Sequence, residues 1–143
     1  MAASIGVMYL ETETRAYTED KSTGNAVKLT AGGNVSITAE GNLKALMIAG
    51  AVGASTSSAG IGVANTTLIH TDTVSARIGS HGIVNAAGST GITVSAASKE
   101  EIIALTAAGA AASSAGVAVA PTILVLSETT TASIGAGATA NAE

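Results

Sequence analysis

Residues 57–79 read SSAGIGVANTTLIHTDTVSARIG, and 56 residues later the chain reads SSAGVAVAPTILVLSETTTASIG at 113–135. With Gly60 set on Gly116, Ile61 meets Val117, Val63 meets Val119 and Leu68 meets Leu124. The same register brings Asp72 to Glu128, Ala76 to Ala132 and Ile78-Gly79 to Ile134-Gly135. A worn copy opens the chain as SIGVMYLETETRAYTED, with Ala16 on Ala76 if four residues are missing. From Thr73 onward polar Thr73, Ser75 and Arg77 alternate with apolar Val74, Ala76 and Ile78. That period of two is the mark of a strand with one buried face. Leu68-Ile69 and Leu124-Val125-Leu126 break the alternation, which predicts a stretch buried on both faces or bent.

Working outward, AVKLTAGGNVSITAEGN (26–42) reads as strand, turn, strand, with Gly32-Gly33-Asn34 at the corner. Its counterpart is GIVNAAGSTGITVSAAS (82–98), turning at Gly88-Ser89-Thr90-Gly91. Each of these is followed by a small-residue run, 43–69 and 102–126, the second without any charge. A run of that length can be read as a membrane-crossing helix, and Ser98-Lys99-Glu100-Glu101 satisfies a capping-box pattern. The composition argues for strands instead. Gly costs roughly 1 kcal/mol relative to Ala inside a helix, and the earlier copy has Asn42-Leu43-Lys44-Ala45 where the cap would be. Pro121 replaces Asn65 and fits a corner or a strand start.

Composition narrows the architecture. Of 143 residues 47% are hydrophobic, yet aromatics are 1%, with 17 Gly and no Phe or Trp. A core of Ala, Val, Ile and Leu suits thin, regularly stacked layers. Repeats of this kind point to solenoids or arrays, because one unit cannot bury its apolar face alone. Two and a half modules cannot close a propeller. The expected fold is therefore all-β: a single parallel β-helix (β-solenoid) over 1–143, with modules at about 1–33, 34–90 and 91–143. A right-handed coil is expected from the handedness of parallel crossovers. At roughly 20–30 residues per rung, each module would hold two or three rungs, giving a rod of about 30 Å at a strand spacing of about 4.8 Å.

The modules resemble the repeats of large bacterial leukotoxin-like and filamentous-haemagglutinin-like surface proteins. The matching stretches are Gly33-Asn34-Val35, Gly62-Val63-Ala64-Asn65, Thr73 through Gly79 and Thr129 to Gly135. Pro121 and the irregular first copy depart from the pattern. The resemblance implies a β-helical segment of a secreted or outer-surface passenger exported by a type V route.

Few residues suggest chemistry. His70 and His81 face Leu126 and Gly137 in the next module, so solvated loop or edge positions are expected rather than a metal or catalytic role. Asp72/Glu128 is an acidic position kept in both copies. A cation site there would need further oxygens, and a surface charge that discourages edge pairing is the alternative expectation. Glu100-Glu101 are adjacent and would face opposite ways in a strand. Ser57-Ser58 and Ser113-Ser114 read as turn serines, and no Gly-Lys-Ser/Thr follows the glycine turns. The Thr-x-Thr pairs Thr12/Thr14, Thr71/Thr73 and Thr129/Thr131 are too sparse for a flat water-ordering array.

The net charge of −4, with scattered Lys and Arg, excludes the basic face that nucleic acid requires and the polybasic patch that anionic membranes attract. No cysteine is present, so there is no disulfide framework or thiolate zinc site. The N-terminus lacks the basic start and long apolar stretch of a signal peptide. If the protein is secreted, the signal belongs to a longer precursor. The function expected is non-enzymatic: a rod-like spacer or adhesive segment of a large bacterial cell-surface or secreted protein. No catalytic, cofactor or metal residues are expected. The expected partners are further copies of the same repeat, in cis or end to end, and a host or neighbouring cell surface, with no membrane insertion. A self-assembling extracellular filament protomer is the alternative, and a membrane-embedded helical protein a more distant one.

Overall fold

A computed structural model describes residues 1–56 and 59–142, so the Ser57-Ser58 pair and residue 143 lie outside the described residues. Among the described residues nine strands follow in order: β1 (Ala2–Tyr17), β2 (Lys28–Ala31), β3 (Val35–Ser55), β4 (Ala59–Ile78), β5 (Ile83–Ala86), β6 (Ile92–Ala112), β7 (Ala115–Val119), β8 (Thr122–Ile134) and β9 (Thr139–Ala142). There is no helix among the described residues. Ser98 and Glu101, the ends of the capping-box pattern, both lie inside β6, and Pro121 falls in the break between β7 and β8.

The quoted stretch forms β4, and its burial alternates along the strand. Ala64, Thr66, Leu68, His70, Asp72, Val74, Ala76 and Ile78 point inward and are buried, while Thr73, Ser75 and Arg77 lie in the half-buried outward row. Leu68 and Ile69 obey the same alternation, so the expected break is absent. Two adjacent apolar residues occur there because Ile69 belongs to an outward row that is itself apolar further up the strand.

Three strand pairs run parallel, each strand beside its equivalent one module on. Ala59 through Val63 of β4 pair with Ala115 through Val119 of β7. Ile83 through Ala86 of β5 pair with Thr139 through Ala142 of β9, and Lys28 through Ala31 of β2 pair with Ile83 through Ala86. One whole module therefore separates neighbours in a ladder, which corrects the expectation of two or three rungs per module. Strands of about twenty residues fill a module in a single passage. The β2–β5–β9 ladder is three strands deep, so two spacings of about 4.8 Å give roughly 10 Å, not 30 Å.

The worn first copy follows a shifted register. Thr12 contacts Asp72, 60 residues on, whereas Lys28 pairs with Ile83, 55 residues on. The first corner thus carries five extra residues between these points: an insertion, where a deletion was expected. Asp20 holds this longer corner in place, accepting from the Ser80 N–H at 2.7 Å and from Arg77 Nη2 at 2.6 Å.

The chain divides into two units, each assembled from one piece of every module. The first comprises Met1–Glu11, Leu43–Thr71 and Glu100–Ser127. Its interior is small: Ala45, Met47, Ala49 and Ala51 of β3 and Ala64, Thr66 and Leu68 of β4. It narrows toward Gly53, Gly60 and Gly62 until backbones touch. A Cβ on Gly53 would fall on the Ile61 carbonyl, and one on Gly62 on the Gly109 carbonyl. Glycine is required there by close approach, not by an unusual φ.

The second unit comprises Thr12–Asn42, Asp72–Lys99 and Glu128–Glu143. Its core joins Val35, Ile37 and Ala39 of β3, Val74, Ala76 and Ile78 of β4, and Val84 and Ala86 of β5. Its corners repeat from module to module. His81 and Gly137 occupy equivalent turn positions at φ of 55° and 67°, and a Cβ on Gly137 would meet the His81 ring. Asn34 staples the opposite corner, its Oδ1 accepting from the Thr90 and Gly91 amides at 2.9 and 3.1 Å.

Candidate functional site

The polar residues with the most unusual surroundings lie on the inward row of β4. Burying a polar side chain among apolar ones costs several kcal/mol unless partners are supplied, so each must be accounted for. Strand alternation puts Thr66, His70 and Asp72 on the face that also carries Leu68 and Val74.

In the first unit, the His70 side chain is fully enclosed and that of Glu100 nearly so. His70 Nδ1 lies 3.2 Å from the Leu10 carbonyl oxygen of β1, and Nε2 lies 2.8 Å from Glu100 Oε1 of β6. A carbonyl only accepts, so Nδ1 carries the proton that binds Leu10. Nε2 of His70 and Oε1 of Glu100 are the facing atoms of the pair. The pair is close but poorly directed, for neither atom makes a well-aligned hydrogen bond. Further along, Thr106 Oγ1 bonds Thr66 Oγ1 at 2.8 Å and Thr122 Oγ1 at 2.7 Å. These three hydroxyls form a chain that links β4, β6 and β8.

In the second unit, Asp72 is buried and accepts from Thr12 Oγ1 at 2.6 Å and from Ser98 Oγ at 2.7 Å. Two hydroxyl donors on two carboxylate oxygens are what the ionised form requires. Gly41 provides the room: a Cβ there would stand 2.8 Å from Val74 Cγ2 and 3.3 Å from Asp72 Oδ2.

These placements correct two expectations. His70 is not a solvated loop or edge residue, because it stands one residue out of phase with the outward Thr71 and Thr73, and strand alternation turns it inward. Asp72 is not a surface charge, although Glu128, its counterpart in the last coil, is exposed. Thr12 from the earlier copy and Ser98 from the later one supply the hydroxyl partners of Asp72; sequence comparison of the modules does not show them, since they come from strands 60 and 26 residues away. His81 is a half-buried corner residue whose N–H bonds the Ala136 carbonyl at 3.0 Å. Glu100 and Glu101 do face opposite ways: Glu101 pairs outward with Lys44 at 2.9 Å.

The outward row of the second unit forms a shallow groove lined by Arg15, Tyr17, Thr73, Ser75, Arg77 and Thr131. Both arginines are already paired, Arg15 with Glu13 and Arg77 with Asp20, and Arg77 also lies over the Tyr17 ring. The Ser80 amide and then Arg77 hold the Asp20 carboxyl below its ordinary value, and Lys21 does the same for Glu19.

No family model matches the chain, and no match was found among curated proteins or solved structures.

Proposed function

We propose that this chain is a non-enzymatic β-solenoid segment of a large bacterial cell-surface or secreted protein, serving as a rod-like spacer or adhesive surface outside the cell. The observation that carries this reading is the like-on-like register. Ile83 pairs with Thr139 and Asn85 with Asn141, and Asn141 Nδ2 donates to Asn85 Oδ1 at 2.8 Å across the same pair. A ladder in which each coil repeats the one before can be lengthened without redesign, which is what a spacer needs. The resemblance to leukotoxin-like and filamentous-haemagglutinin-like repeats agrees with it, and a right-handed coil follows from the parallel crossover preference. The enclosure of His70 agrees with a structural role, because a substrate would have no access to the imidazole.

A second reading is favoured by the last coil, in which β7, β8 and β9 are exposed along their whole length. Exposed strands template pairing with another chain, so copies would stack end to end as a filament. Electron microscopy of the purified chain, beside a tandem with one more 56-residue module, separates the two. A spacer gives single particles that lengthen by about 5 Å per added module. Ordered fibres from the unextended chain would favour the filament, and a failure of the tandem to lengthen would refute both.

A further inference from the structure

The first unit has a second property that spacing alone does not require. Its charged side chains, Glu11, Lys44, His70, Glu100 and Glu101, all lie in the first or last two residues of its three segments. The contacts of Lys44 with Glu101 and of His70 with Glu100 and Leu10 gather them at one end. Beyond them, residues 45–69 and 102–127 carry no charge. At the other end the chain turns through the hydroxyl residues Ser55-Thr56 and Ser113-Ser114.

Between these ends the outward rows are apolar on both sheets. Ile5 and Val7 of β1 are 72% and 66% exposed, and Leu46, Ile48 and Val52 of β3 are 63%, 69% and 72% exposed. Ile103 and Leu105 of β6 continue the same face. The outward row of β3 in the second unit is instead Ser36, Thr38, Glu40 and Asn42. An exposed apolar surface of this extent marks a contact with protein or lipid.

We propose that this charge-free unit inserts among the acyl chains of a lipid bilayer, with the Lys44–Glu101 end at the headgroups. Three features favour lipid over a second copy. Residues 45–55 make an eleven-residue leg of about 36 Å at roughly 3.3 Å per residue, against a hydrocarbon core of about 30 Å. Both sheets present apolar rows, whereas a lateral contact with another copy covers one. Tyr9, one step from the charged end, sits where aromatic side chains gather at membrane interfaces. Asn65 and Thr67, the polar members of the β4 outward row within the charge-free residues 59–69, bond each other at 3.0 Å. The absence of a polybasic patch removes attraction to anionic headgroups, but not partition of apolar side chains. The inference rests on the stacking reading above, because strand edges in hydrocarbon must be paired.

The test is flotation of the chain with phosphatidylcholine vesicles, alongside sedimentation without vesicles, which reads stacking separately. The chain is expected to float, and Ile48→Lys to partition roughly 30-fold less, the effect of a mid-bilayer charge on a lipid-facing strand position. Thr38→Lys should float as before. The native chain has no Trp, so Ile48→Trp and Thr38→Trp give single probes. Quenching by brominated acyl chains is expected at position 48 and not at 38, which decides the matter should Ile48→Lys fail to fold. Stacks that do not float, or equal quenching at both positions, would overturn the insertion and leave the stacking reading intact. Flotation without stacks would overturn both, because the edge strands would then lie unpaired in hydrocarbon.

Discussion

Replacing Gly62 by Ala adds one methyl group at a place where the structure leaves none. The new Cβ would fall on the Gly109 carbonyl and stand 3.1 Å from the Gly53 amide nitrogen. Both obstacles are backbone, so relief requires strands to move apart rather than a side chain to rotate. Overpacking of this kind costs about 1–3 kcal/mol, against which Gly→Ala recovers roughly 0.4–1 kcal/mol by restricting the unfolded chain. The net expectation is a loss of about 1–2 kcal/mol. Gly50→Ala supplies the internal control. Its Cβ would have the Ala107 carbonyl at 3.8 Å as its nearest neighbour, an ordinary contact, so the unfolded-state term alone should stabilise by about 0.4–1 kcal/mol. Guanidinium unfolding followed by far-UV circular dichroism reads both. With a slope of a few kcal/mol per molar, the midpoint should fall by roughly 0.3–0.5 M for Gly62→Ala and rise slightly for Gly50→Ala. Midpoints that move together, in either direction, would refute the backbone contact between β4 and β6.

The buried polar groups make further predictions. Asp72→Ala should destabilise by about 1–3 kcal/mol, because the Thr12 and Ser98 hydroxyls lose their acceptor; in that background Ser98→Ala should add little, and an additive loss in the double-mutant cycle would sink the network. His70→Leu installs the residue found at the equivalent Leu126 but leaves Glu100 buried without its partner, so it should lose about 3 kcal/mol, and the double variant with Glu100→Leu should recover most of it. A double variant no better than the single one would argue against the pair. Asp20 has a lowered folded-state pKa, so its contribution is present above the unfolded value of about 3.8 and is lost as pH falls through the lower folded one. A carboxyl titration by nuclear magnetic resonance should place its midpoint below 3.8 in the native chain and closer to it in Arg77→Ala; an unchanged midpoint would leave the Ser80 amide as the cause.

The repeat and the period-two pattern were enough to determine strands, corners and the inward row of Ala76 and Ile78, because these follow from local backbone geometry and from comparing copies. They were also enough to place Pro121 in a break and to turn Glu100 and Glu101 to opposite faces. What sequence comparison could not supply was the length of a coil. Small residues permit a corner almost anywhere, and only the ladder, with Ala59 beside Ala115, decides that a module makes one passage and not two or three. The fate of His70 and Asp72 was also a tertiary matter. Alternation assigns them to a face, but their charges suggested solvent, and only partners brought by β1 and β6 make burial tolerable. The same holds for Gly53 and Gly62. In the sequence they are two among 17 glycines; in the fold they are where backbone meets backbone, a constraint set by strands that approach in space and are distant along the chain.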